Sequence, residues 1–310
     1  MGYYILTYLC LAVFIVAAGR LIYRHLTLPV HLRWEIYPVQ CEPADKVSYG
    51  GSYMEEMNWW EKKRKSSRVN EILYMAPEIL LMRGLWKENK RLWQMSFPLH
   101  LGLYLMLATF LLLSISAVFT LCGFAEDGVL MIVNGLSVAT GWMGLLAGVI
   151  GSTGMLYKRL SDRELRDYAT FADYFNIVFI LFFFLCAFIA ALAVDPLFDA
   201  SRAYILGLFS AGRAAPAYVP GRSLPGALTI VLGSLLAAYI PLTHMSHMFM
   251  KFFLYHRVKW DDTPSRPGSP IETAIKKNLE YRPTWKARHA DTDGKQSWQE
   301  IASSAPKEMK

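Results

Sequence analysis

Five long apolar blocks divide this chain, and its charges lie almost wholly between them. A helix needs roughly 20 consecutive apolar residues to cross a hydrocarbon core about 30 Å thick, because every backbone polar group must be satisfied inside the segment. The spacing predicts transmembrane helices over Tyr3–Tyr23, Pro98–Thr120, Leu130–Leu156, Asp173–Val194 and Gly226–Leu254. With 54% of its 310 residues hydrophobic, the chain falls in the membrane class. The first block has no charge before Arg20 and no small-residue cleavage site leading into a soluble domain, so it is expected to be retained. The expected fold is an all-α integral membrane bundle of five transmembrane helices.

Basic residues near helix ends stay on the cytoplasmic side. The first connection carries Arg24, Arg33, Lys62, Lys63, Arg64, Lys65, Arg83, Lys87, Lys90 and Arg91, and the third carries Lys158, Arg159, Arg163 and Arg166. Leu121–Val129 has no Lys or Arg, and Asp195–Leu224 has only Arg202, Arg213 and Arg222. The N-terminus is therefore expected outside and the C-terminus in the cytoplasm. The net charge of +7 follows from this asymmetry and from attraction to anionic lipid, and no nucleic acid is implied. Cys10, Cys41, Cys122 and Cys186 form no Cys-x-x-Cys pair, so no iron–sulfur or zinc motif is legible.

Four regions follow: residues 1–39, the first helix with an interfacial motif; 40–97, a cytoplasmic segment; 98–254, a four-helix transmembrane region; and 255–310, a cytoplasmic tail. The second region mixes Trp59, Trp60, Trp86 and Trp93 with charges, and its apolar residues recur at helical spacing from Ile72 to Leu85. Helices lying on the membrane surface fit that pattern, as a lipid collar or as a docking face. The tail, with Pro264, Pro267, Pro270 and Pro283, has no core of its own, so it is either disordered or ordered by a partner. The outer connection Asp195–Leu224 is long for a structureless loop, and it either caps the bundle or meets an external subunit.

Ionisable residues within a bilayer are functional candidates. His100 sits near the start of the second block, and His244 and His247 near the end of the fifth. At a rise of about 1.5 Å per residue, His100 lies roughly 13 Å from Arg91 and His247 about 15 Å from Arg257. Two imidazoles at one depth are what axial ligation of a haem iron requires, and they equally suit hydrogen bonding between helices. His25, His31, His256 and His289 suit solvent or head groups better.

The segments FPLHLG (Phe97–Gly102), KRLSDRELRDYATFAD (Lys158–Asp173) and IVLGSLLAAYIPLTHMSHMF (Ile230–Phe249) resemble the cytochrome b (gamma) subunit of respiratory nitrate reductases. HLRWEIYPV (His31–Val39) is similar to the related membrane cytochromes b of transmembrane redox complexes in sulfate-reducing bacteria. The resemblance implies two stacked haems in the nitrate reductase pattern, with histidines ten apart on the second helix and eighteen apart on the fifth. The inner positions match as His100 and His247, but the outer ones are Phe110 and Thr229. Neither is an expected haem ligand. Loss of both together implies one haem b, near the cytoplasmic face, with His100 and His247 on the iron.

The resemblance also implies quinone or menaquinone as substrate, with His31, Arg33 and His244 as candidate contacts. Lys251 is a candidate partner for a haem propionate, and His244 for the haem edge. Implied partners are a cytoplasmic iron–sulfur subunit similar to heterodisulfide reductase and an external multihaem cytochrome c, in the inner (cytoplasmic) membrane of a bacterium or archaeon. The expected function is that of a membrane cytochrome b subunit passing electrons between the quinone pool and the iron–sulfur partner. A haem-free membrane anchor is the alternative. A proton-coupled transporter fits less well, since paired, Gly/Pro-interrupted helices are absent from the pattern.

Overall fold

The computed structural model describes residues 2–27, 56–58, 61, 68–125, 127–213, 220–247, 250, 267–284 and 294–304. Among these the regular elements are helices: α1 (Gly2–Thr27), α2 (Arg68–Leu80), α3 (Arg83–Glu88), α4 (Lys90–Leu121), α5 (Gly128–Ser161), α6 (Arg163–Asp167), α7 (Phe171–Ala193), α8 (Asp199–Phe209), α9 (Leu224–Tyr239), α10 (Pro270–Leu279) and α11 (Trp298–Ser303). Five are long and apolar enough to cross a membrane: α1, α4, α5, α7 and α9 with its extension to Leu242. The expected all-α bundle with five membrane-spanning helices is present.

The chain forms two compact units. The first comprises Met1–Ala17 and Met75–Met245, and the second Ala18–Tyr74 and Ser246–Lys310. In the first unit α4 and α5 pack along their length, α7 packs on α5 and α9, and α8 packs on α4. Half of the apolar window of α7 is buried, against 17% for α1, so α7 is the central helix. Its Ile180, Phe183, Phe184, Ala187 and Ala191 form a core with Leu99, Leu145, Phe198 and Leu236.

Small residues bring α4 and α5 together. Gly144 and Gly148 make a small-xxx-small pair on α5, with Gly151 one turn on. A Cβ on Gly102 would stand 2.5 Å from the Gly148 nitrogen, and one on Gly151 would stand 2.5 Å from the Cα of Leu99. Only hydrogen fits there. Thr109 and Thr140 join across the same pair at 2.9 Å, and Ser116 donates to Asn134 Oδ1 at 2.7 Å.

The connection after α7 is not structureless. Asp195, buried, accepts from Ala200 N, Ser201 N and Ser201 Oγ at 2.7–2.9 Å and so starts α8. Tyr204, Ile205 and Leu208 of α8 then pack with Tyr4, Leu113, Ala117 and Ile230. The connection therefore folds back onto its own bundle. Four hydroxyl and carbonyl groups fasten it: Tyr204 donates to the Tyr3 carbonyl at 3.1 Å, Thr7 joins Tyr204 at 2.7 Å, and Ser234 joins Thr7 at 2.8 Å. A carbonyl only accepts, so each hydroxyl passes one donor along the sequence Ser234, Thr7, Tyr204, Tyr3.

Two expected boundaries move. The helical run expected from Ile72 to Leu85 is two helices, because Met82 adopts left-handed geometry (φ 51°) between α2 and α3. Glu78 holds the bend by accepting from Gly84 N at 2.8 Å. Val69, Ile72, Leu73, Leu80 and Leu81 are exposed along this stretch, as a surface-lying helix requires. Of the fifth helix, expected to run to Leu254, regular α-helix covers Leu224–Tyr239 and gives way to 3-10 turns at Ile240–Leu242 and His244–Ser246, while residues 248–249 and 251–254 lie outside the described residues. Pro241 lacks the N–H that would continue the ladder, and Thr243 is extended (φ −127°, ψ 177°).

In the second unit, α10 starts at Ser269, whose hydroxyl accepts from Glu272 N, and α11 carries a capping box of Ser297 and Glu300. Trp298 N donates to Tyr281 O at 3.0 Å and Gly294 N to Pro283 O at 3.1 Å, linking the two. Neither helix buries a residue.

Gly102→Ala forces the α4–α5 backbones apart, and overpacking of this kind costs about 1–3 kcal/mol. Its detergent-solubilised form should lose its monodisperse peak at a lower temperature than wild type in heated size-exclusion runs. Gly135→Ala, on the same α5 but with nothing within 4 Å of the new Cβ, should not. Burial pushes the Tyr204 phenol from its ordinary 10.0 up to about 12. A pKa raised by folding contributes stability that is complete below pH 10 and is lost as pH rises towards 12. Thermal midpoints should fall across that window in wild type, and less so in Tyr204→Phe.

Candidate functional site

His100 lies three turns into α4, on the face that also carries Ser96 and Tyr104 one turn either side. Its Nδ1 is 2.8 Å from the Ser96 carbonyl. Because that oxygen can only accept, Nδ1 carries the proton and the lone pair of the neutral ring is on Nε2. A histidine that ligates a metal through Nε2 has this same arrangement, its other nitrogen donating to a carbonyl. The bond follows from the helix, since His25 makes the same contact to Leu21 O at 2.8 Å on α1. The tautomer thus makes His100 competent as a ligand without singling it out.

The turn before His100 is held firmly. Trp93 Nε1 donates to Leu81 O at 2.8 Å, its ring stacks on Phe97 with centroids 4.6 Å apart, and Trp86 meets it edge-on at 4.6 Å. Lys90 sits over the Trp86 ring at 5.2 Å. One turn beyond His100, Tyr104 donates to Ile79 O at 2.9 Å. Together these bonds pin the bend between α2 and α3 against the start of α4.

The second polar group of this unit lies between α7 and the end of α9. Tyr239 donates to Asn176 Oδ1 at 2.7 Å, and Asn176 Nδ2 lies 3.1 Å from His244 Nε2. Asn176 is 5% exposed, while His244 is exposed. The break in the fifth helix is what brings His244 there: Pro241 is buried, and Ile240 and Met245 pack on the central core. Thr243 Oγ1 donates to Tyr239 O at 3.2 Å. Phe175 and Phe179 of α7 meet the Tyr239 ring edge-on at 5.8 and 5.6 Å.

Asp173, one turn before Asn176, has a structural role. It forms a capping box with Thr170 at the start of α7 and lies 3.5 Å from Arg159.

Of the residues singled out in the sequence, His100 and His244 belong to the first unit and His247, which is exposed, to the second. His31, Arg33 and Lys251 lie outside the described residues, as does Arg257, the mark for the depth of His247. The rise from His247 to that mark runs through residues of which only Met250 is described, whereas between Thr229 and His247 the backbone of residues 240–246 is 3-10 and extended. Eighteen residues from Thr229 to His247 are therefore not five turns of one helix.

At the opposite end, the positions that the resemblance pairs in an outer site hold no ligand. Phe110 is 38% exposed, and Thr229 donates to Pro225 O at 2.8 Å. The neighbouring Leu113 and Ile230 are committed to the cluster with Tyr204 and Leu208. Among the described residues no three or more His, Cys, Asp or Glu side chains gather as a metal group, and a haem held by two imidazoles calls for none.

Asn176 and Tyr239 are absent from the sequence-derived candidates. A signal for Asn176 was present, since an amide left unsatisfied within the apolar run Phe175–Ile180 is costly, though less so than an unpaired charge. Tyr239 carried none, being one aromatic among many. No family model, curated protein or solved structure matches the chain.

Replacing Asn176 by Leu leaves the Tyr239 hydroxyl and the His244 ring without their shared partner, at a cost of about 1–3 kcal/mol. The thermal midpoint of the purified protein should drop accordingly, and a midpoint equal to wild type would remove Asn176 from this network.

Proposed function

We propose that this chain is a membrane cytochrome b subunit of a respiratory redox complex, carrying electrons between a quinone pool and a cytoplasmic iron–sulfur partner through one b haem. The observation that carries the reading is the His100 ring, held by the Ser96 carbonyl with its lone pair on Nε2, within the segment FPLHLG that resembles the gamma subunit of nitrate reductases. His247 is the second ligand in this reading, and the imidazole pair fits the donor set that haem iron takes in low-spin electron carriers. Lys251 would sit beside a propionate. When bound, the haem accepts and releases single electrons.

What this chain supplies is position. The Ser96 carbonyl orients the His100 ring, the Trp86–Trp93–Phe97 stack and the Tyr104 bond fix the turn that carries it, and α5 closes on its far side. The single-haem stoichiometry is supported by the outer half, where side chains of α1, α4, α8 and α9 pack on one another around Tyr204. The partners of this reading are an iron–sulfur subunit similar to heterodisulfide reductase on the basic side, an external multihaem cytochrome c, and the lipid of a bacterial or archaeal inner membrane.

A haem-free anchor is the second reading, and one observation favours it: the fifth helix is interrupted at Ile240–Ser246, just before His247, where the family spacing calls for continuous helix. The two readings separate on one measurement. Protein purified from a haem-replete host and reduced with dithionite should show a b-type spectrum, with one haem per chain by pyridine haemochrome. His100→Ala and His247→Ala should each abolish it. A wild type without chromophore overturns the cytochrome reading in favour of the anchor, and two haems per chain overturn the stoichiometry.

A further inference from the structure

Arg159 ends the buried stripe of α5. It stands five turns after Gly141 and within about 20° of Gly148 and Ser152, all three of them buried. A Cβ on Gly148 would overlap the Phe184 ring of α7, so the stripe faces α7, and Arg159 carries it to the basic end of the bundle. There α5 and α7 are joined twice. Tyr174 donates to Arg159 O at 3.3 Å, and Arg159 Nη1 lies 3.5 Å from Asp173 Oδ2.

That ion pair leaves most of the guanidinium unserved. Asp173 Oδ2 already accepts from Thr170 N at 2.9 Å and from Thr170 Oγ1 at 2.8 Å, which commits the carboxylate to the cap of α7. Arg159 Nε is buried and, among the described residues, meets no acceptor. The side chain is only 19% exposed, so bulk water does not replace the missing partner. Arg163 and Arg166 differ: both pair with Asp167, at 3.6 and 3.9 Å, and both are exposed, so water supplies what that carboxylate does not. The Nε edge of a guanidinium is a two-donor fork that matches two oxygens of a phosphate.

Two surroundings say which phosphate. A Cβ on Gly154 would overlap Met95 Sδ, which sets these residues opposite each other on antiparallel α5 and α4. Five residues further along both helices, Arg159 is level with Lys90 and Arg91, both exposed. A zwitterionic head group would bring its ammonium to the level of these cations, whereas a net negative one meets only attraction. Tyr157, Leu160 and Phe171, at the ends of two membrane-spanning helices, are large exposed side chains. Their neighbours in a bilayer are acyl chains, so the phosphate that reaches this end arrives with a lipid attached. Basic pockets between membrane-spanning helices bind anionic head groups in this way.

We propose that Arg159, at the junction of α5 and α7, binds the phosphate of an anionic phospholipid from the leaflet at that end, with Lys90 and Arg91 selecting for net negative charge. Two phosphate oxygens take the edge of the guanidinium that Asp173 leaves open, and the bound lipid stabilises the junction. The site depends on neither haem nor a redox partner.

The test is a titration of the full-length protein, purified in a non-ionic detergent and stripped of copurifying lipid, read by native mass spectrometry and by the thermal midpoint. Phosphatidylglycerol should be retained by wild type and should raise its midpoint. Phosphatidylcholine with the same acyl chains, and inorganic phosphate, should do neither at equal concentration. Arg159→Gln should weaken phosphatidylglycerol binding about tenfold or more, the equivalent of losing a hydrogen bond to a charged group. Arg163→Gln should leave it unchanged. Should Arg159→Gln fail to fold with Asp173 unpaired, Arg159→Lys carries the test, because it keeps the charge beside Asp173, loses the fork and should weaken binding several-fold.

Unchanged affinity in Arg159→Gln, or in Arg159→Lys where it alone folds, overturns the site. Equal binding of phosphatidylcholine overturns selection by charge, and a matching response to inorganic phosphate overturns lipid as the source. An equal loss in Arg163→Gln would mark diffuse attraction to a basic surface and overturn the site as well.

Discussion

Backbone contact between α4 and α5 sets the geometry on which the candidate site depends. A methyl group on Gly102 would meet the backbone of Gly148 and displace a helix, and Gly151 abuts Leu99 in the same way. Such a seam fixes the rotation of α4 as well as its distance from α5. His100 stands two residues before Gly102, about 160° around the axis, and so points away from the seam. In lipid no hydrophobic force draws helices together, and close packing of small residues supplies the association instead. The direction of the His100 ring is therefore a consequence of glycines on a neighbouring helix.

Polar bonds within the bundle act on orientation in the same manner. Thr109 with Thr140, Ser116 with Asn134, and Asn176 with Tyr239 each join two helices through groups that the membrane would otherwise leave unsatisfied. Each bond is worth little on its own, since measured contributions in membranes average well under 2 kcal/mol. What they add is register: a helix that slid or turned would break several at once. The α7–α9 contact at Asn176 differs from the others because its chain of donors ends on an exposed imidazole rather than on a carbonyl of the same helix.

The five spans were legible because bilayer thickness imposes a length and a composition that few other structures share, and the first, third and fourth begin and end within several residues of the expected places. The fifth helix was not legible beyond Tyr239. Hydropathy registers that Ile240–Phe249 is apolar enough to continue, but a helix and a pair of 3-10 turns bury apolar side chains equally well. Pro241 was the one local sign, and prolines inside α2 and α4 show that the residue alone does not decide: Pro77 and Pro98 sit within continuous helix. The helix in the outer connection was hidden for a similar reason, because Gly and Ala in Asp195–Leu224 read as loop residues, whereas Ala200 and Gly207 are the small residues that let α8 lie against its neighbours. The candidate site was legible where an imidazole stood in an apolar run and not where a neutral amide did, since charge stands out in a hydrophobic window and an amide is diluted by it.

The two ends of the first unit solve opposite problems. At the end carrying α8, hydroxyls run from Ser234 to the Tyr3 carbonyl with every donor used, and Tyr204 is buried in a packed core. That end is filled by its own side chains. At the other end the fifth helix gives up its regular α-helical hydrogen bonds over several residues, and Thr243 Oγ1 donates to the Tyr239 carbonyl. Irregular backbone at membrane depth is costly unless protein or a cavity lines it, and where it persists it commonly marks a site at which a ligand is handled. Here it does one identifiable thing: it carries His244 out of the helical register and onto the Asn176 amide. A continuous helix through Pro241 would have rotated that imidazole to a different face and left Asn176 holding an unmet donor inside the bundle, so the break and the buried amide are two halves of the same arrangement.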